Sequence, residues 1–193
     1  VAKGHNFPRL TLVGVVDAQY RAMVLTAAYT GLRFGELAGL RRDALEVARG
    51  VVRVEETLQE VSGEFHLGEP KSRASRRSVA LPGFLGEVLE RHLAEFPDPS
   101  GLVFTAPRGG PIHRVNFRRR VWLPAVDASV GRPCRFHDLR HTHTAILIRE
   151  GVHAKVIQER LGHASITTTL DTYGHLFEGL DSAAAKTLDA AYR

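Results

Sequence analysis

Apolar residues along this chain change their spacing several times, and each change marks an element. Over residues 17–30, Tyr20, Met23, Val24, Ala27 and Ala28 recur at helical steps, with Asp17 placed to cap the start and Gly31 to stop the end. From Ala44 the pattern shifts to β-branched alternation. Leu45 and Val47 precede an Arg49-Gly50 turn, Val51, Val52 and Val54 follow it, and a Ser62-Gly63 turn leads to Phe65 and Leu67. That spacing predicts a small antiparallel sheet of about three strands, to which residues 78–81 can return.

Helical spacing resumes after Pro82 at Leu85, Val88, Leu89, Leu93 and Phe96. The segment 97–110 mixes Pro97, Pro99 and Pro107 with Gly and Ser and reads as a loop. Further helices are predicted over 113–130, interrupted near Pro124, then over 136–150, 153–161, 166–173 and 177–192. No repeat or low-complexity tract interrupts the sequence. The expectation is a single α+β domain over 1–193, mostly α-helical with a small three-stranded antiparallel sheet.

Composition narrows the function. A chain of 193 residues with 44% hydrophobic and 24% charged residues can bury a core as one compact domain. A net charge of +5 and a pI near 9.8 favour an acidic partner, nucleic acid first. The lone Cys134 excludes an intrachain disulfide framework and a Cys-rich zinc site, and fits a reducing compartment. No run approaches the roughly 18 apolar residues of a membrane span, and no charged leader precedes an apolar stretch. The chain is therefore expected to be soluble and intracellular. Because it begins at Val1 without Met, it is expected to be a piece of something longer.

The positive charge is clustered. Lys71, Arg73, Arg76 and Arg77 fall within seven residues with no acid among them, and 108–140 holds eight arginines, Arg118, Arg119 and Arg120 included, against Asp127 and Asp138. A single run of this kind is ordinarily a solvated face. Two runs flanking the motifs below tilt the reading toward a phosphate-binding surface.

Residues 30–37 read TGLRFGEL, placing Arg33 just past a glycine stop and Glu36 three residues on; a buried structural ion pair is the ordinary reading. Lys71 falls in a turn after the Phe65 strand, where alone it is a surface lysine. Residues 137–142 read HDLRHT. On a helix, His137, Arg140, His141 and Thr144 share one side, with Leu139 and Ile146 on the other toward the core. In LGH, Gly162 ends a helix and exposes His163, and ten residues later Tyr173 stands in LDTYGH, where a half-buried, satisfied hydroxyl is a tyrosine's usual fate. Six of the ten histidines lie within 137–175, and His137 and His141 have an i, i+4 spacing that zinc uses. No Glu follows His137, however, and no cysteine or carboxylate cluster completes a coordination sphere, so neither metal nor cofactor is expected.

Together Arg33, Lys71, His137, Arg140, His163 and Tyr173 supply three cations, two imidazoles and a phenol. A tyrosine hydroxyl can attack a phosphodiester if paired guanidiniums hold the non-bridging oxygens. An imidazole can take the phenolic proton, and a lysine can protonate the departing oxygen.

These strings, TGLRFGEL, the lysine of EPKSRASRR, HDLRHT, LGH and the final tyrosine, resemble in order and spacing those of the tyrosine recombinase, or phage integrase, family over nearly the whole chain. The resemblance implies a mostly helical catalytic domain with a three-stranded sheet at one edge. It makes Arg33 and Arg140 the phosphate clamps, Lys71 the general acid on the 5′ oxygen, His137 the candidate general base and His163 a second phosphate donor. Glu36 would support Arg33, and Tyr173 would form a 3′-phosphotyrosyl bond. It further implies double-stranded DNA as partner, which the two basic runs would contact through Arg73, Arg76, Arg77, Arg118, Arg119 and Arg120. A homotetramer on paired sites is implied, monomeric when free, with accessory bending or directionality proteins, in the cytoplasm at the nucleoid. Family members usually carry an N-terminal helical domain, which does not fit before Asp17.

Two rivals are a type IB topoisomerase, which swivels one strand and reseals it, and a non-catalytic DNA-binding module in which Tyr173 is packing. The tail leaves an apolar stripe of Leu176, Phe177, Leu180, Ala184, Leu188 and Ala191 that something must cover. Docking on its own domain is the ordinary expectation; the resemblance offers a neighbouring protomer instead.

Overall fold

The computed structural model describes residues 8–70, 72–174 and 181–192. Helix α1 (Pro8–Val15) leads into α2 (Ala18–Thr30), which lies at the centre of the molecule and buries Tyr20, Ala22, Met23, Val24 and Ala27. Its Thr26 and Thr30 hydroxyls are satisfied by donating back to the carbonyls of Ala22 and Thr26, the way a hydroxyl is carried inside a helix. Asp17 precedes α2 without a side-chain capping bond, contrary to expectation. Gly31 does end it, in the left-handed conformation at φ 71°, and a Cβ there would meet the His143 ring at 2.8 Å.

The short α3 (Phe34–Ala38) is followed by strands β1 (Leu45–Glu46) and β2 (Val51–Val54), hairpin strands β3 (Thr57–Val61) and β4 (Glu64–Gly68), and β5 (Arg77–Ala80). The expected sheet is corrected in its membership. Among the described residues it has three antiparallel strands, ordered β1-β2-β5, whereas the Phe65 and Leu67 strand pairs with β3 in a separate hairpin. Burial explains the choice: Val52 and Val54 face the core and pair in register with Val79 and Arg77, while Val61 and Leu67 of the hairpin stay exposed.

Helix α4 (Gly83–Glu95) covers the sheet side of α2, and the proline-rich loop leads to α5 (Arg114–Phe117). The irregularity expected at Pro124 lies one turn earlier, as a π-helical turn over Arg118–Trp122. Pro124 follows that turn directly, at the second residue of α6 (Leu123–Ser129), so the wider turn lies just where the proline lacks an N–H to donate. Trp122 points inward and donates Nε1–H to the Cys134 carbonyl at 2.7 Å, and Arg118, Arg119 and Arg120 remain outside. Tyr20, Phe34, Phe117, Trp122 and Phe136 form one aromatic cluster with edge-on and tilted contacts. Because Phe136 immediately precedes His137, this cluster fixes where α7 starts.

Helix α7 (Asp138–Arg149) packs against α2, and α8 (Ala154–Leu161) and α9 (Ile166–Tyr173) close over its far side. Its buried face is wider than the sequence implies, taking in Leu139, Arg140, His143, Thr144 and Ile148, with Ile146 only half-buried. Ile148, Ile157, Leu161 and Tyr173 make a second, smaller core. In α10 (Asp181–Tyr192), Leu188 is 71% and Tyr192 94% exposed, so the expected docking of that stripe on its own domain does not occur at Leu188. Leu176, Phe177 and Leu180 lie outside the described residues. No helix among the described residues is long and apolar enough to cross a membrane.

Candidate active site

Arg33 is the N-cap of α3. Its backbone N–H donates to Glu36 Oε2 at 2.8 Å and its guanidinium to Oε1 at 2.9 Å, which makes the TGLRFGEL string a capping box that also aims a cation. Glu36 has a second and stronger partner. From β5, the Arg77 fork reaches both carboxylate oxygens at 3.0 and 2.9 Å, and these two side chains are only 6% and 3% exposed. Burial pushes the Glu36 carboxyl up, but the Arg77 fork and then Arg33 outweigh it and hold it below the ordinary carboxylate range. Arg77 also donates to the carbonyls of Ser75 and Arg160. Its expected place on the DNA surface is therefore corrected: its donors are spent inside the protein, on the residue that orients Arg33.

Arg140 sits behind Arg33 and is 3% exposed. Its two terminal nitrogens donate to the carbonyls of Gly31 and Leu161, so one side chain on α7 ties the turn before Arg33 to the turn before His163. Burial and the nearby Arg33 pull its pKa down to about 9, still a cation at neutral pH. Gly162 closes α8 at φ 66°, where a Cβ would come within 2.9 Å of Arg77 Nη1 and 3.1 Å of the Ala74 carbonyl. His163 follows, with Nδ1 2.9 Å from the buried Thr169 hydroxyl. Burial, then the field of Arg140, Arg33 and Arg77, lowers its pKa to about 4, so the ring is neutral at pH 7.

Tyr173 ends α9 with its ring in the small apolar core, 5% exposed, and its hydroxyl lies 2.7 Å from His141 Nδ1. The rings of His137 and His141 meet edge-on, with centroids 5.3 Å apart. Burial, then Arg140 and its neighbours, holds His137 below the ordinary imidazole value.

An open cleft of about 560 Å³ is bordered by Arg33, Glu36, Thr57, Ser72, Gly162 and His163. Lys71 lies outside the described residues, but Pro70 and Ser72 on either side of it line this cleft. Arg33, Arg140, His137 and His163 thus share one positive environment, with Tyr173 beside Arg140. Among the described residues, no three His, Cys, Asp or Glu side chains come together as a metal would require. Of the residues expected on the DNA surface, Arg73 opens a 3₁₀ turn, Arg76 is exposed and paired with Glu69, and Arg118, Arg119 and Arg120 are exposed without an ion pair among the described residues. Two residues carry more than their sequence context suggests. His141 is, by pattern, only a member of a helix face, and its contact with Tyr173 spans 32 residues, which no local pattern encodes. Arg160 stands in no motif, yet it bridges His143 and the carbonyls of Tyr29 and Ala80.

The chain matches the model of the phage integrase family over residues 11–179 and belongs to that family. It is 30% identical over 189 residues to the ICEBs1 integrase of Bacillus subtilis strain 168, covering 93% of this chain and 51% of that protein. In fold it is similar to the Tn1549 transposon integrase in complex with circular intermediate DNA, with a TM-score of 0.81, 23% identity, and 98% and 67% of the two chains covered. The catalytic domain of bacteriophage HP1 integrase superposes with a TM-score of 0.65 at 18% identity, covering 96% of this chain and 94% of that one. This chain spans about half the length of the curated relatives it matches.

Proposed function

We propose that this chain is the catalytic domain of a site-specific DNA recombinase that cleaves and rejoins strands through a 3′-phosphotyrosyl intermediate. The observation that carries the reading is the arrangement around Arg140. One buried guanidinium braces the turns that present Arg33 and His163, and the hydrogen-bonded Tyr173 hydroxyl stands beside it.

The chemistry follows from those groups. The two guanidiniums hold the non-bridging oxygens of the scissile phosphate and stabilise the charge of the pentacovalent state. His163, neutral at pH 7, donates a further hydrogen bond. Tyr173 attacks phosphorus, Lys71 protonates the departing 5′ oxygen, and the energy of the broken bond is kept in the phosphotyrosyl ester for rejoining. Arg118, Arg119 and Arg120, with Arg73 and Arg76, lie along the DNA backbone, and the integrase of Tn1549, similar in fold, is held on DNA. The protein is a monomer when free and a homotetramer on paired sites, and the exposed Leu188 and Tyr192 of α10 supply an uncovered apolar surface for that assembly. It acts at the nucleoid in the cytoplasm, with accessory proteins setting direction.

The test is incubation with a duplex nicked just 3′ to the scissile phosphate, so that the short cleaved piece diffuses away and rejoining fails. The reading predicts a denaturation-resistant protein–DNA adduct. Binding without any adduct would instead support a non-catalytic module.

A further inference from the structure

We propose that His141, not His137, is the base that takes the hydroxyl proton of Tyr173. This rests on the nucleophile reading above. Reach separates the two imidazoles. His141 Nδ1 stands 2.7 Å from the Tyr173 hydroxyl oxygen, inside the heavy-atom distance a general base needs. Among the described residues, the Tyr173 hydroxyl bond and its ring contact are both with His141, whereas His137 meets only the His141 ring, edge-on at 5.3 Å.

The two partners are held by rigid elements. His141 follows Arg140 on α7, so the phosphate cation and the base share one helix and move together. Tyr173 is fixed from the other side, its ring wedged among Ile148, Ile157 and Leu161 at the end of α9. Among the described residues, the charged or titratable groups beside the pair are His137, Asp138 and Arg140 on α7, and Asp138, which is itself held by Arg135, lies close enough to feel the charge of His141.

The step balances. The Tyr173 O–H bond breaks and its proton passes to His141 Nδ1, giving an imidazolium, while the oxygen lone pair forms the new bond to phosphorus. The P–O5′ bond breaks, and the 5′ oxygen keeps its electron pair and receives a proton from Lys71. Rejoining runs the same transfers backward, with the imidazolium returning its proton to the departing phenolate. A base is required because a free phenol titrates near ~10, whereas an ordinary imidazole titrates near ~6.5.

The experiment uses the full chain and single-turnover capture on the nicked duplex. His141→Asn keeps an acceptor near the hydroxyl but cannot take its proton, and circular dichroism melting establishes that each variant folds. Capture by H141N should slow about 100-fold or more. Replacing Tyr173 by a ring-fluorinated tyrosine, a more acidic phenol, should restore most of that loss. A duplex with sulfur in place of the 5′ bridging oxygen, which leaves without protonation, should restore a Lys71 variant but not H141N. Wild-type speed in H141N overturns the proposal. So does a folded, slow H141N that the fluorinated tyrosine fails to restore, or a restoration confined to His137→Asn. If neither the native nor the fluorinated chain forms an adduct, the nucleophile reading fails first and the assignment of His141 falls with it.

Discussion

Glu36 shows how one side chain can belong to both the core and the chemistry. Its carboxylate accepts from Arg33, which faces the cleft, and from Arg77, which does not. Removing one member of a buried ion pair leaves the other charge uncompensated, at a cost of about 3–5 kcal/mol. Arg77→Met should therefore lower stability by about that amount in urea unfolding, with DNA contacts changed only through Arg33. A variant as stable as wild type, but with weakened DNA binding, would return Arg77 to the surface role its sequence neighbourhood suggested. That neighbourhood was misleading because charge runs record sequence proximity alone. The parity of the strand was the better guide: Arg77 alternates with Ser78 and shares its side with the buried Val79.

At the scale of elements, turns do the positioning. Gly162 adopts φ 66° with a would-be Cβ against Arg77 and Ala74, whereas Gly151 adopts φ 73° with nothing within 4 Å. The left-handed conformation costs a residue with a Cβ roughly 1–2 kcal/mol, and this applies to both sites. Gly151→Ala should lose only that, while Gly162→Ala should lose at least about 1 kcal/mol more by thermal melting and displace His163. Equal losses would show that the close approach beneath Gly162 is unimportant. Helical periodicity located α2 and α9 almost to the residue, because one buried stripe on a helix is a local property. Alternation identified which segments are strands but not which of them pair, since partners are chosen by whether each has a core face to offer. The same limit applies to the site. The strings around Arg33, Arg140 and His163 are legible because each is a helix start or stop with a charged or titratable group beside it. The Glu36–Arg77 and His141–Tyr173 contacts join distant segments and became visible only once the chain was folded.

Over the whole molecule, buried histidines and exposed arginines set how the protein responds to its solvent. Burial lowers the pKa of His143 from 6.5 to about 3 and that of His163 to about 4, and His92 and His137 shift the same way. With folded values below the unfolded ones, the unfolded chain binds protons first as pH falls. Stability is therefore full above the ordinary 6.5 and declines as pH drops from there toward about 4 and about 3. The urea midpoint should be clearly lower at pH 5 than at pH 7, and a midpoint that does not move would contradict the neutral burial of His143. Salt should act on binding instead. If Arg118, Arg119 and Arg120 lie on the DNA backbone, replacing all three by Ala should flatten the log-log salt dependence of affinity by about 0.9 for each phosphate no longer neutralised. An unchanged slope would make them an ordinary solvated face.

If this chain is a tyrosine recombinase, the Tyr173 oxygen becomes the covalent link to DNA. Its most direct measurement is mass spectrometry of the adduct captured on a nicked duplex, after protease and nuclease digestion. A phosphonucleotide is expected on the peptide carrying Tyr173, and no adduct at all from Tyr173→Phe, which keeps the ring in its apolar pocket and removes only the hydroxyl. A phosphonucleotide on Tyr192 or Tyr29, or an adduct that survives in the Phe variant, would contradict the claim.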